Sequence, residues 1–302
     1  MRALFVLTPS ESKRFIAMAV AQLPEVKNAK KEGEIVIGHG STNVRVAEEI
    51  LGQCPEPDKF LSGLVINGIL CLTQPEEKPP MIVVRKGKLV PPELTMEETL
   101  KNFDAGSVFI KGANAVDPER NAGVYVAHPS GGTIGFAYGT LSARGCHLIV
   151  PVGLEKLVPS VKRAGQHLGQ DTLYYSMGVK IGMIPLMNAE VITEVEAFRI
   201  LFDLDAIPIG GGGVNGSEGS VALLAEGEKE ALDQAIKLIE SIKGEPPLRP
   251  KKSLCINCLP TSPSMLTSPG EQFAEKVIKH CTFRGKKEEE LPDFFQVRGS
   301  IE

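Results

Sequence analysis

Glu34-Ile35-Val36-Ile37-Gly38-His39-Gly40-Ser41-Thr42-Asn43 decides how the chain is read. A short apolar run stops at two glycines, and from Thr42 to Leu51 the apolar residues Val44, Ala47, Ile50 and Leu51 return at helical spacing. Strand, glycine turn and helix follow one another directly. Glycines let the chain turn tightly and let a ligand approach the backbone. Ser41 or Thr42 can cap the helix and offer a hydroxyl, while the first helical N–H groups point into the turn. The pattern is neither G-x-G-x-x-G nor a P-loop. It reads as an anion site formed by Gly38, His39, Gly40, Ser41 and Thr42, with a plain capped turn as the alternative.

Working outward, Leu4 to Leu7 is a strand or a helix lead-in, and Ser12 to Leu23 carries Phe15, Ile16, Ala19 and Val20 at helical spacing. Leu64 to Cys71 is apolar on both faces and reads as one strand buried in a sheet. Met81 to Lys88 is a strand with a turn, Met96 to Asn102 a short helix, and Ser107 to Gly112 a strand. Gly123 to Ala127 and His147 to Val152 are further strands, with a small-residue helix from about Gly132 to Arg144 between them. This alternation predicts an α/β fold: a Rossmann-like, mostly parallel sheet with helices on both faces, over residues 1–188. After Pro185 the order β-α-β-β-α, closing on the amphipathic stretch Lys229 to Ile242, predicts a smaller ferredoxin-like α+β domain over 189–246. Pro246-Pro247-Leu248-Arg249-Pro250 marks a boundary, and 247–302 is an extension holding Pro and Cys, with a helix-like piece at Glu271 to Lys279.

Composition narrows the function classes. In 302 residues, a formal net charge of −4 argues against a general nucleic-acid binder. The absence of Trp, with only four Tyr, leaves few stacking platforms for single strands. No apolar run is long enough for a membrane span, and the N-terminus turns polar too soon for a signal peptide, so a cytoplasmic location is expected. The six Cys then read as reduced thiols. Cys255 and Cys258, with His280 and Cys281 after them, have the ligand types of a zinc site. No second C-x-x-C or H-x-x-x-H pair completes it, so no metal is expected. No cofactor fingerprint is present. A homodimer is expected on general frequency alone.

A second glycine-rich stretch, Ser130-Gly131-Gly132-Thr133, opens the helix at 132, and Lys111 at a strand end, Asn114 and His128 lie between the two. Here the chain resembles a known family. Gly-x-Gly-Ser-Thr after a strand is similar to the phosphate loop of ribose-5-phosphate isomerase A, whose superfamily includes glucosamine-phosphate deaminases, CoA transferases and regulatory subunits of an initiation-factor exchange complex. Asp104 to Pro118 looks like that family's strand and Asp-Gly-Ala-Asp-x-Val-Asp-Pro loop. Ser130 to Gly135 and Leu148 to Val158 look like its next segments. The resemblance implies a ligand with a phosphate group. It also implies that two aspartates, a lysine and a helical glutamate do the proton work. Those aspartate positions are Lys111 and Asn114 here, the lysine position is approximately His128, and 132–144 holds no carboxylate. Enediol isomerisation needs a base near the substrate carbon, so classical isomerase activity is not expected. The reading is a protein that binds a phosphorylated sugar, nucleotide or similar anion. It is either an isomerase or transferase of changed chemistry, with Lys111, Asn114 and His128 as catalytic candidates, or a non-catalytic binding module on the same fold. A transferase nucleophile, a glutamate on a glycine-flanked strand end, is not found. Asp117 and Glu119 are the nearest acids, unless Asp-Pro only builds a turn. Gly210 to Gly216 reads as a hairpin connection rather than a second anion nest.

Overall fold

A computed structural model of the protein describes residues 1–73, 78–90, 95–251, 254–257 and 281–296. β1 (Arg2–Leu7) passes through Thr8 into α1 (Pro9–Gln22). Thr8 and Glu11 form a capping box, each side chain accepting the other's backbone N–H, and Pro9 supplies the first helical φ. α2 (Pro24–Glu32) leads to β2 (Glu34–Ile37), buried throughout, and the glycine turn delivers α3 (Ser41–Leu51), which ends at left-handed Gly52.

β3 (Gly63–Ile66) and β4 (Ile69–Leu72) form a two-stranded hairpin where one buried strand was expected. Asn67 and Gly68 both take positive φ (52° and 74°), the backbone of a two-residue hairpin turn. β5 (Ile82–Arg85) and β6 (Lys88–Leu89) turn the same way, and α4 (Met96–Lys101) precedes β7 (Val108–Ile110). β8 (Ala115–Val116), β9 (Ala122–Val126), α5 (Gly132–Arg144), β10 (His147–Pro151), α6 (Val161–His167) and β11 (Gly182–Leu186) follow. β12 (Glu190–Ile192), α7 (Glu194–Phe202), β13 (Asp205–Gly212), β14 (Ser220–Glu226) and α8 (Lys229–Ser241) complete the main elements.

The largest sheet has the order β12-β10-β7-β2-β5-β6. Its first four strands are parallel, and β5 and β6 add antiparallel at one edge. Alternate residues feed two cores. Ile35, Ile37, Val108, Ile110 and Ile149 face α1 and α3, while Val36, Phe109, Leu148 and Val150 face α5. Both faces are covered, which is why these strands read as unbroken apolar runs rather than as alternation. Each such side chain, fully withdrawn from water, contributes roughly 1.5–3 kcal/mol. Among the described residues, no helix is long and apolar enough to cross a membrane.

Two strands sit elsewhere than expected. Glu190–Ile192 pairs parallel with β10 at the edge of the large sheet, and the small antiparallel sheet, order β1-β14-β13, takes its third strand from the N-terminus. The ferredoxin-like order within 189–246 gives way because Val191 and Ile192 have a separate core on each side, a setting the large sheet provides. Phe5, Phe15 and Phe198 pack ring on ring, so the small sheet, α1 and α7 share one core. β9 also leaves the parallel sheet, joining β11 and β8 in an antiparallel one. Glu271 to Lys279 lies outside the described residues.

Candidate functional site

A cavity of about 690 Å³ opens where β2 and β7 end, between the N-termini of α3 and α5. Both glycine turns line it: His39, Gly40, Ser41 and Thr42 on one side, Ser130, Gly131, Gly132 and Thr133 on the other. Lys111, Asn114 and His128 line it as well. The cavity thus brings together the residues singled out in the sequence except Gly38, which shapes it from behind. A Cβ on Gly38 would stand 3.3 Å from Lys111 Cδ, so the glycine leaves room for that lysine's stem.

The α3 turn is built without a side-chain cap. Gly40, not Ser41 or Thr42, is the N-cap residue, and its own N–H donates to the Phe60 carbonyl at 3.1 Å. Ser41, Thr42 and Asn43 occupy the first helical turn, whose N–H groups have no acceptor within the helix. Asn43, fully buried, ties the turn together by donating Nδ2–H to the Gly38 carbonyl at 2.7 Å. At α5 the N-cap residue is Gly131, again with no side-chain cap. Its φ of 81° is the left-handed region, and an added Cβ would lie 2.9 Å from Gly135 Cα. Only glycine fits there. Both helices therefore present uncapped N-termini to one cavity, each a partial positive charge.

Side chains add full charges. Lys13, Arg45, Lys78, Lys111 and Lys156 all line the cavity, and among the described residues no Asp or Glu does. Lys111 Nζ donates to the Gly112 carbonyl at 3.1 Å and pairs with no carboxylate among the described residues. Burial, then the neighbouring Lys156 charge, brings its pKa down to about 8. Lys156 donates to the Ala113 carbonyl at 3.0 Å and stands 4.0 Å from Glu155, which also lies 3.9 Å from Lys13. Burial lowers the Lys13 pKa, with Glu155 opposing it. Glu155 faces the two lysines from behind the wall, and neither of its oxygens has a hydrogen-bond partner among the described residues. Arg45 is held by Glu48 and Glu245.

The histidines differ. His39 is packed against the Phe60 ring and lies 2.7 Å from the Pro79 carbonyl through Nε2. Burial, then Lys78, pushes its pKa down to about 4. At neutral pH it is therefore uncharged, donates Nε2–H to Pro79 and brings no positive charge to the cavity. His128 accepts the Ser130 N–H at Nδ1 (3.1 Å), which puts the proton of its neutral form on Nε2. Burial lowers its pKa too. Asn114 accepts the Tyr125 N–H through Oδ1 at 3.0 Å, an anchor that fixes its side chain beside the cavity.

Asp117 takes no part. It is buried and accepts N–H groups from Val161 and Asn121 at 2.9 Å, a turn-building role. Burial pushes its pKa up, but these amide bonds outweigh it and hold the carboxylate below its usual range. Gly210 to Gly212 lie in β13, away from the cavity lining. Cys255 is buried beside Ile69, Phe283 and Leu291, while Cys258 and His280 lie outside the described residues.

Sequence reading missed Lys13, Arg45, Lys78 and Lys156. They come from α1, α3, the loop before β5 and the short 3-10 helix Leu154–Lys156, and no local pattern joins them. Lys13 carried a faint signal. It follows Ser10 by three residues on a helix whose neighbours Ser12, Phe15 and Ile16 are fully buried.

No family model and no curated protein matches the chain. Among solved structures, a D-ribose-5-phosphate isomerase in complex with phospho-erythronic acid matches over 80% of this chain and 90% of its own, at 17% identity and a TM-score of 0.28. A likeness that weak carries no argument, and the site stands on its own geometry.

Proposed function

We propose that the protein binds a phosphorylated sugar, a nucleotide or a similar small anion in the cavity between the two glycine turns. One observation carries this reading: five cationic side chains and two uncapped helix N-termini meet in one cavity whose described lining holds no carboxylate. Glu155 offsets Lys13 and Lys156, and Glu48 and Glu245 offset Arg45, but Lys78 and Lys111 pair with no carboxylate among the described residues, and an anion in the cavity would relieve that excess. The α3 turn and the lysines take the phosphate, and Asn114 and His128 orient the remainder. The motif resemblance gives the reading a parent scaffold, similar to ribose-5-phosphate isomerase A, with its chemistry changed.

Two versions differ in one step. In the enzyme, a divergent isomerase or transferase, Lys111 and His128 move protons or polarise a carbonyl. Lys111 has a pKa near neutrality, as a general base or acid requires. In the second version the protein only binds, which the lack of a lining carboxylate favours. Thermal shift against sugar phosphates, nucleotides and CoA esters finds the ligand, since a molecule that binds the native state raises the melting temperature. Turnover of that ligand, lost in Lys111→Ala or His128→Ala, selects the enzyme. Stabilisation without turnover selects the binding module, and no response across the panel removes the anion site.

A further inference from the structure

The charged groups occupy only part of the cavity. Across from them the wall is hydrocarbon: Leu70 and Leu72 from β4, Val124 and Val126 from β9, and Phe136 from α5. Cys71 and Tyr125, between these pairs, line the cavity as well. Val65 and Phe136 line the cavity yet are 72% and 54% exposed, so much of their apolar surface still faces water. The volume points the same way. About 690 Å³ lies well inside the roughly 300–1,000 Å³ range of pockets that take larger organic ligands. A pentose phosphate would leave part of it unfilled. Sugar hydroxyls set against Leu and Val would also lose hydrogen bonds to water and gain none.

We infer that the ligand is amphipathic: a phosphate monoester whose head sits among Lys111, Lys156 and the α3 N-terminus and whose apolar chain lies along β4, β9 and Phe136. This rests on the anion-binding reading and narrows its substrate class. The β3–β4 hairpin is the structural reason. Folded back at Asn67-Gly68, it offers an apolar strand to the cavity instead of joining the large sheet.

The test is isothermal titration of the full chain with methyl, butyl, hexyl and octyl phosphate, each below its micelle concentration, with octanol as a chain without a head. Affinity is expected to rise about fourfold per added methylene, the equivalent of ~0.8 kcal/mol, until the wall is covered. Phe136→Asn and Val65→Asn change side chains that are already largely exposed and add no charge, so the fold and the anion site should stand. Each is expected to weaken octyl phosphate by about tenfold or more and leave methyl phosphate within about twofold. A flat series with measurable methyl phosphate binding overturns the amphipathic assignment and leaves the anion site intact. Octanol binding as well as octyl phosphate, or no member binding at all, overturns both.

Discussion

Replacing Lys111 by methionine keeps an unbranched apolar stem of similar length and removes the charge. In the folded chain, burial and Lys156 bring that amine from 10.5 down to about 8. Holding it protonated at pH 7 therefore costs the fold about 3 kcal/mol. Methionine also gives up the bond from Nζ to the Gly112 carbonyl, worth about 1 kcal/mol. Lys111→Met should therefore be more stable than the wild type by about 2 kcal/mol at pH 7. The sign reverses the usual expectation for a charged residue. Between the two pKa values the unfolded lysine keeps a proton that the folded one has released, so wild-type stability rises with pH across that window. The variant has no such rise, and its advantage should shrink to about zero by pH 9.5. Urea denaturation of both proteins at pH 7 and 9.5 reads this directly. A variant less stable than the wild type at pH 7, or a gain that does not change with pH, refutes the reasoning. A lysine kept at such a cost is expected where its charge serves a ligand.

Three further outcomes follow from the site's surroundings. Gly131→Ala forces a side chain into the left-handed region and against Gly135; urea denaturation should show a loss of about 2–3 kcal/mol, with weaker phosphate binding. Glu194 is fully buried, and burial, then Glu155, pushes its pKa up to about 7. The folded chain holds that proton between 4.5 and 7 while the unfolded chain has lost it, so Glu194 lowers stability as pH rises through the window. Glu194→Gln, which can still accept the Leu154 N–H, should gain about 2 kcal/mol at pH 8 and little at pH 4. Arg14 joins Glu48, Glu49 and Glu245. Arg14→Ala leaves Glu49 without this partner and Glu48 and Glu245 with Arg45, and urea denaturation should show a loss of about 2–4 kcal/mol.

Much of the site was legible because it is made of local features. A strand, two glycines and a helix are contiguous in sequence, and α5 can be read directly from Gly132 to Arg144. The cap was not legible. Ser41 and Thr42 are good capping residues, yet the backbone places Gly40 at the N-cap, which leaves the amides open. Leu64 to Cys71 looked like one buried strand because apolar content outweighed the Asn67-Gly68 turn signal, and the error hid the cavity's apolar wall. The small sheet's third strand lies over 200 residues away in sequence, at Arg2–Leu7. Such pairings are set by core packing, here Phe5 on Phe198, and no local period reports them. The additional lysines were hidden for the same reason, since a convergent cluster has no spacing.

Isothermal titration with inorganic phosphate, wild type against Lys111→Met, at pH 7 and pH 9.5 and constant chloride, tests the central claim most directly. Saturable binding at pH 7 is expected, weaker by about tenfold at pH 9.5 as Lys111 loses its proton; the variant should bind about tenfold more weakly than the wild type at pH 7 and close to it at pH 9.5. Absence of saturable binding at pH 7 up to millimolar phosphate, or equal affinity in wild type and variant at pH 7, would contradict an anion site at the glycine turn and Lys111.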